Sequence, residues 1–240
     1  MGNGRFWTAV ALGCALSAAD RVQAQEYSEP SKFVGLSFVA GNPIGDFGTF
    51  FDQGFGVQLE GSWAVSEDRR FRLRADVGGL VYGHESLALC HPLGCRIGVS
   101  LNTTNNIFYG GVGPEYAFTS GAFEPYVFGT VGLSYFATIS SLSGGDGYGD
   151  YFDTTNYSDV VMAWKFGGGA RVRVHRGAHP VALDFGVERH QNGIANFLTE
   201  GDILDNPDGS VTLFPNRSEA DLMTLRFGVS VGFGARPGIR

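Results

Sequence analysis

The sequence predicts an all-β fold, eight antiparallel strands closed up-and-down into a transmembrane β-barrel with short periplasmic turns and long extracellular loops. Three observations predict it. Eight stretches alternate with period two, the connections between them alternate long and short, and each stretch has one uncharged and one charged face.

The elements follow in chain order. Stretch 32–41 sets Val34, Leu36, Phe38 and Ala40 on one face, and 55–65 does the same with Phe55, Val57, Leu59, Trp63 and Val65, opposite Gln58 and Glu60. In 71–83, Phe71, Leu73, Ala75, Val77 and Val81 oppose Arg72, Arg74 and Asp76, and in 107–118 Phe108, Val112, Tyr116 and Phe118 oppose Tyr109 and Glu115. Stretch 125–139 aligns Val127, Val131, Leu133, Tyr135 and Ile139, and 160–174 turns Lys165, Arg171 and Arg173 away from Met162, Trp164, Phe166 and Val172. Stretch 180–190 separates Val181, Leu183, Phe185 and Val187 from Asp184, Glu188 and His190, and 221–235 separates Met223, Leu225, Phe227 and Val229 from Thr224, Arg226 and Ser230. Pro114 is a misfit inside a strand and calls for a bulge or a lost ladder bond.

Three connections are short and polar, 66–70, 119–124 and 175–179, and four are long, 42–54, 84–106, 140–159 and 191–220. Strands that thread a membrane layer collect the short turns on one side and the long loops on the other. The charged faces sum to Arg72, Arg74, Lys165, Arg171, Arg173 and Arg226 against Glu60, Asp76, Glu115, Asp184 and Glu188, a set able to pair inside an enclosed lumen. The opposite faces are uncharged over their central stretches, as hydrocarbon requires, because a charge at mid-depth costs about 2–4 kcal/mol. Trp63, Tyr135 and Trp164 sit toward strand ends and suit interfacial girdles; Tyr82 points inward.

Bulk properties narrow the function. The 240 residues carry a net charge of −7, 37 glycines and only two lysines, Lys32 and Lys165. No basic stripe exists for a nucleic acid. Residues 1–24 read as a signal peptide, with Arg5, an apolar run from Phe6 to Ala19 and Val22-Gln23-Ala24 before the cut; Cys14 lacks a good lipobox. Residues 25–31 would be a periplasmic lead-in and 32–240 the barrel. No later apolar run approaches the roughly 20 residues of a membrane helix. The exported pair Cys90 and Cys95 reads as a small loop disulfide, against free or metal-bound thiols.

The C-terminal residues Arg226, Gly228, Val231 and Phe233 lie in RFGVSVGF, which resembles the insertion signal of Gram-negative outer-membrane barrels. With the leader and the loop asymmetry, the mature chain resembles the small eight-stranded barrels of the OmpA, OmpX and OmpW kind. The resemblance implies outer-membrane location, insertion by the barrel-assembly machinery and surroundings of lipid and lipopolysaccharide. Seven residues follow Phe233, a departure from the usual terminal aromatic, and no peptidoglycan-binding domain follows, so wall anchoring does not carry over.

Catalysis is not expected. Residues 187–193 loosely resemble the His-x-Ser-Asn stretch of lipid A deacylases, but Asn192 stands where the nucleophile is needed, and His190 reads as a rim residue. Asp146, Asp150 and Asp153, or Asp202, Asp205 and Asp208, lack the spacing that wraps one calcium ion. No cofactor or metal is expected, and a monomer is. An eight-stranded barrel fills its interior with side chains, so the expected role is structural, or surface interaction through long loops such as 191–220 with its Ile194, Phe197, Leu198 and Leu204. Two alternatives stand: an OmpW-like passage for small apolar molecules, and a secreted, soluble, lipocalin-like lipid carrier with the charged faces outward.

Overall fold

The computed structural model describes residues 30–90, 98–144, 150–199, 201–206 and 211–234. The leader, Cys95 with its expected bridge to Cys90, Asp146, Asp208 and the tail after Gly234 lie outside them.

Eight strands close into one antiparallel barrel: β1 (Lys32–Pro43), β2 (Gly54–Ala64), β3 (Phe71–Cys90), β4 (Gly98–Ala117), β5 (Phe123–Gly144), β6 (Asp150–His175), β7 (Val181–Gln191) and, last in the chain, β12 (Leu222–Phe233). Each strand pairs with its neighbour in this order, and β12 returns to β1 in a ladder from Lys32↔Phe233 to Pro43↔Leu222. No edge of the closed sheet is left open at this seam. Four short strands lie in the connection after β7. Of these β8 (Ile194–Phe197) pairs with β11 (Asn216–Glu219), and β9 (Ile203–Asp205) with β10 (Val211–Leu213).

The short turns gather at one end. In the first, Ser66 Oγ donates to Asp68 Oδ1 at 2.5 Å, and the Arg70 amide donates to the same oxygen at 3.2 Å. These two donors hold the exposed Asp68 carboxyl below its ordinary range.

Two expected loops turn out to be mostly strand. Stretches 84–106 and 140–159 continue β3 to β6 beyond the ends of β2 and β7, so a four-stranded wall rises at the long-loop end. Side-chain bonds such as Thr103–Ser140 at 2.8 Å and Asn156–Ser140 at 2.6 Å cross it. Around Thr103, Ser140 and Asn156 the wall is polar, so the contrast that marks a strand in sequence is weak there. Stretch 42–54 contains a short 3-10 helix, Gly45–Thr49. At Pro114 the ladder to β5 passes from Val112↔Val131 to Glu115↔Phe128 without a change of register, skipping Gly113 and the proline that has no N–H to give.

Alternation is visible in exposure. Along β12 every second side chain from Leu222 to Ser230 is buried and the intervening ones are exposed. Large apolar side chains point out of the barrel, among them Leu36, Met162, Leu225 and Phe227, and the charged ones point in. A Cβ at Gly56 would collide with the Gly79 carbonyl oxygen across the β2–β3 ladder, whereas one at Gly110 meets only Asp76 O at 3.5 Å. Gly56→Ala should therefore lower stability by about 1–3 kcal/mol and Gly110→Ala hardly at all, as read from urea midpoints of the refolded barrel in detergent.

Candidate functional site

The enclosed lumen gathers the polar chemistry of the chain. It has two storeys. The lower one, toward the short turns, is ionic and the upper one is aromatic.

In the lower storey ten of the eleven sequence-predicted charges are buried: Glu60, Arg72, Arg74, Asp76, Glu115, Lys165, Arg171, Asp184, Glu188 and Arg226. Arg173 is half-buried, near the short-turn end of β6. Glu115 is a meeting point of three arginines. Arg171 Nη1 lies 2.8 Å from its Oε1, Arg74 Nη1 is 3.0 Å from Oε2, and Arg72 Nη1 is 3.4 Å from Oε1. Glu60 is the second such point, held by Arg74 and Arg226. Arg171 also reaches Asp184 through Nε at 3.1 Å and Glu124 at 3.0 Å. Arg226 Nε contacts Glu188 at 2.8 Å, and Lys165 pairs with Asp76. The planar guanidinium spreads five donors in a fixed fork, so one arginine serves several carboxylates over a wider arc than the compact three-donor ammonium of lysine.

Aromatic rings and glycines shape this space. Phe33 lies between Arg72 and Arg171, with guanidinium carbons 4.8 and 4.9 Å from its centroid, and Arg171 stacks on Tyr126 at 4.2 Å. The Tyr126 hydroxyl donates to Asp184 at 2.6 Å and accepts from Arg226. Tyr126 fits because it crosses Gly169, where a Cβ would sit 2.6 Å from its hydroxyl; Gly186 makes similar room for Arg226.

Sequence reasoning missed Glu124, which Arg72 grips through Nη1 at 2.5 Å and Nη2 at 3.0 Å. Its parity matches Tyr126 and Phe128 on β5; reading a strand start at Pro125 hid it. His190, expected at the rim, is buried at 1% exposure, a correction with a clear cause: its ring turns into the lumen and meets the Tyr109 ring edge-on at 4.8 Å. Asn192, just beyond, accepts from Ser134 Oγ at 2.7 Å and donates to Ala220 O at 2.7 Å. Glu188 Oε2 and Thr224 Oγ1 both face His190 Nε2, at 3.2 and 3.3 Å. A nucleophile and an orienting acid need opposite ring nitrogens, so this trio is not a hydrolytic triad.

The upper storey is an aromatic cluster that the sequence reading did not foresee. Phe47 of the 3-10 helix and Phe197 of β8 meet at 5.1 Å between centroids, with Phe51, Tyr82 and Phe136 around them. Val39, Leu80, Ile107 and Leu222 complete a buried cluster. Of the C-terminal signal residues, Arg226 and Gly228 face the lumen, while Phe233 is exposed, its ring 5.2 Å from His179. Among the described residues no cluster of His, Cys, Asp or Glu is arranged to hold a metal ion.

No family model and no curated protein matches the chain. Solved structures similar to it include Neisserial surface protein A, at 14% identity over 85% of this chain and 97% of that one, with TM-score 0.43. Ail, the attachment invasion locus protein of Yersinia pestis, in complex with the heparin analogue sucrose octasulfate, is similar at 9% identity over 85% and 99%, TM-score 0.46. A major outer membrane protein from Thermus thermophilus is similar at 14% identity over 83% and 99%, TM-score 0.40.

Removing one arginine from the ionic storey leaves carboxylates buried without counter-charge. Arg171→Met should lower the unfolding free energy by about 3–5 kcal/mol, and the double variant Arg72→Met/Glu124→Gln by less than the sum of its single changes, in a double-mutant cycle of urea unfolding.

Proposed function

We propose that the chain is an integral outer-membrane barrel, exported by its leader and plugged by its own side chains, whose role is structural or lies in surface interaction at the long-loop end. The inversion of its two surfaces supports this most directly. Leu36, Met162 and Leu225 are 60%, 62% and 61% exposed on the outer wall, while Arg74 and Glu115 are 0% exposed inside. An apolar belt running round a closed barrel far exceeds the few hundred Å² patch that a soluble monomer shows. Hydrocarbon is the solvent that such a surface fits, with lipid and lipopolysaccharide as its surroundings and the barrel-assembly machinery as its route in.

The two alternatives fare differently. A soluble lipid carrier needs the charged faces outward, the reverse of the orientation found. Passage of small apolar molecules has an apolar upper lumen in its favour, but Phe47, Phe197 and Leu198, at 0%, 1% and 1% exposure, fill it. Traffic through the lumen would require the plug to leave.

Cell fractionation with electrophoresis before and after boiling tests the reading. Detergent-dependent extraction and a heat-dependent mobility shift are expected, and planar bilayers carrying the purified protein should show no steady conductance. Recovery from the soluble periplasm without a shift would overturn the membrane assignment; steady channels would overturn the plug.

A further inference from the structure

β9 and β10 form a sheet of their own, paired with each other and with no further strand among the described residues. A two-stranded hairpin standing alone is marginal in water, and this one is held by polar bonds near its base. Asp202 Oδ2 accepts from the Thr199 amide at 2.7 Å, from Thr199 Oγ1 at 2.6 Å and from Asn216 Nδ2. The Phe214 amide donates to Asp202 O at 2.9 Å, and Asn206 Nδ2 donates to Thr212 Oγ1 at 2.9 Å. None of these bonds engages an apolar side chain.

The apolar side chains of the hairpin are left free to meet something else. Leu204 stands opposite Thr212 and Ile203 opposite Leu213. The bond from Phe214 to Asp202 carries the ladder one pair further, so Leu204, Thr212 and Phe214 share a face on which Leu204 and Phe214 are diagonal neighbours. These two are 52% and 56% exposed, while Ile203 and Leu213 on the other face are half-buried. Lipid accounts for the exposed apolar side chains of the barrel strands, but the hairpin hangs on the chain between Arg189 of β7 and Asp221 before β12. Their ion pair, at 3.1 Å, ends the apolar belt on that side.

Charge narrows what can cover this face. Stretches 42–54, 84–106, 140–159 and 191–221 hold thirteen carboxylates against two arginines, Arg96 and Arg217, whereas the short turns carry Arg69, Arg70 and Arg176. The net charge of −7 is thus concentrated at the long-loop end, and stretch 200–214 contributes Glu200, Asp202, Asp205 and Asp208 without a cation. A field of one sign repels an anionic polymer, and equally a second copy presenting the same acidic end, and draws in a cationic segment.

We propose that the β9–β10 face is a docking surface for a cationic peptide segment of another protein, with Leu204 and Phe214 against its apolar side chains and the surrounding carboxylates facing its lysines and arginines. The proposal rests on the surface-interaction reading above and names the class of partner.

The test is fluorescence anisotropy of a labelled short peptide of lysine, phenylalanine and serine, titrated with the folded barrel in zwitterionic nanodiscs, with empty discs as the blank. Saturable binding that weakens as salt is raised is expected, and none for the same peptide with glutamate in place of lysine. Leu204→Ser/Phe214→Ser should bind the lysine peptide about tenfold more weakly, and Asp205→Asn about twofold. Both variants alter side chains outside the polar clamp and are scored with the heat-dependent mobility shift intact; loss of that shift in wild type would sink the membrane reading instead. Equal binding of the lysine and glutamate peptides, absence of binding to either, or undiminished binding by the double serine variant would overturn the proposal. An oligomer of the wild type that the double serine variant dissolves would also overturn it and assign the face to a second copy.

Discussion

The ion pairs that converge on Glu115 and Glu60 set the terms for everything else in the barrel. Closing eight strands turns one face of every strand into an interior too narrow for bulk water, and charges there persist only if they are matched. Five cations and six carboxylates are buried in the lower storey. They come from β2 to β7 and β12, so the pairs tie strands distant in sequence, as Arg226 does with Glu60 across 166 positions. The preference for arginine has a reason in this geometry. Arg171 addresses Glu115, Glu124 and Asp184 together through donors spread over Nη1 and Nε, a reach that the compact ammonium of a lysine does not have.

From that ionic layer the lumen changes character in a short distance. Gln58 stands at the transition, donating to Glu188 at 3.3 Å and accepting from the Tyr109 hydroxyl at 2.9 Å. Lys165 lies 4.6 Å from the Tyr109 ring, which also meets His190 edge-on. Above Tyr109 rings and aliphatic chains take over, joined by uncharged pairs such as Thr138 donating to Asn105 at 2.6 Å. Two kinds of packing are thus stacked. The ionic one comes from strands alone and the aromatic one joins strand residues such as Tyr82 and Phe136 to loop residues such as Phe47 and Phe197, so they respond to different perturbations.

The barrel was legible in the sequence wherever its two faces see different media. Residues 55–65 alternate because Leu59 meets the exterior and Glu60 the lumen, and the same contrast marks the other seven strands. Where both faces are polar, as around Thr103, Ser140 and Asn156, the contrast vanishes and strand looks like loop. Which arginine meets which carboxylate was not legible, because pairing across dozens to more than a hundred residues depends on register and stagger that alternation does not encode. Phe47 and Phe197 were hidden for a related reason. The apolar residues around them, Phe50 and Phe51 or Ile194 and Leu198, keep no strand period, and which of them is buried is decided by what the neighbouring loop brings to meet it.

The unequal height of the wall explains how the loops over the lumen are held. β3 to β6 rise past the rim, whereas β1, β2, β7 and β12 stop near it, so loops leaving the low side have a surface to lean on. The β8–β11 pair uses it: Asp159 on β6 accepts from the Asn196 amide and side chain, each at 2.8 Å. Ile44 N bonds to Asp221 O at 3.0 Å, fastening the 3-10 helix segment to the start of β12. Loop residues that occupy the lumen are thereby withdrawn from any external partner. The apolar residues of stretch 191–220 divide accordingly. Ala195, Phe197 and Leu198 are buried against the lumen cluster, while Leu204 and Phe214, 52% and 56% exposed, face outward.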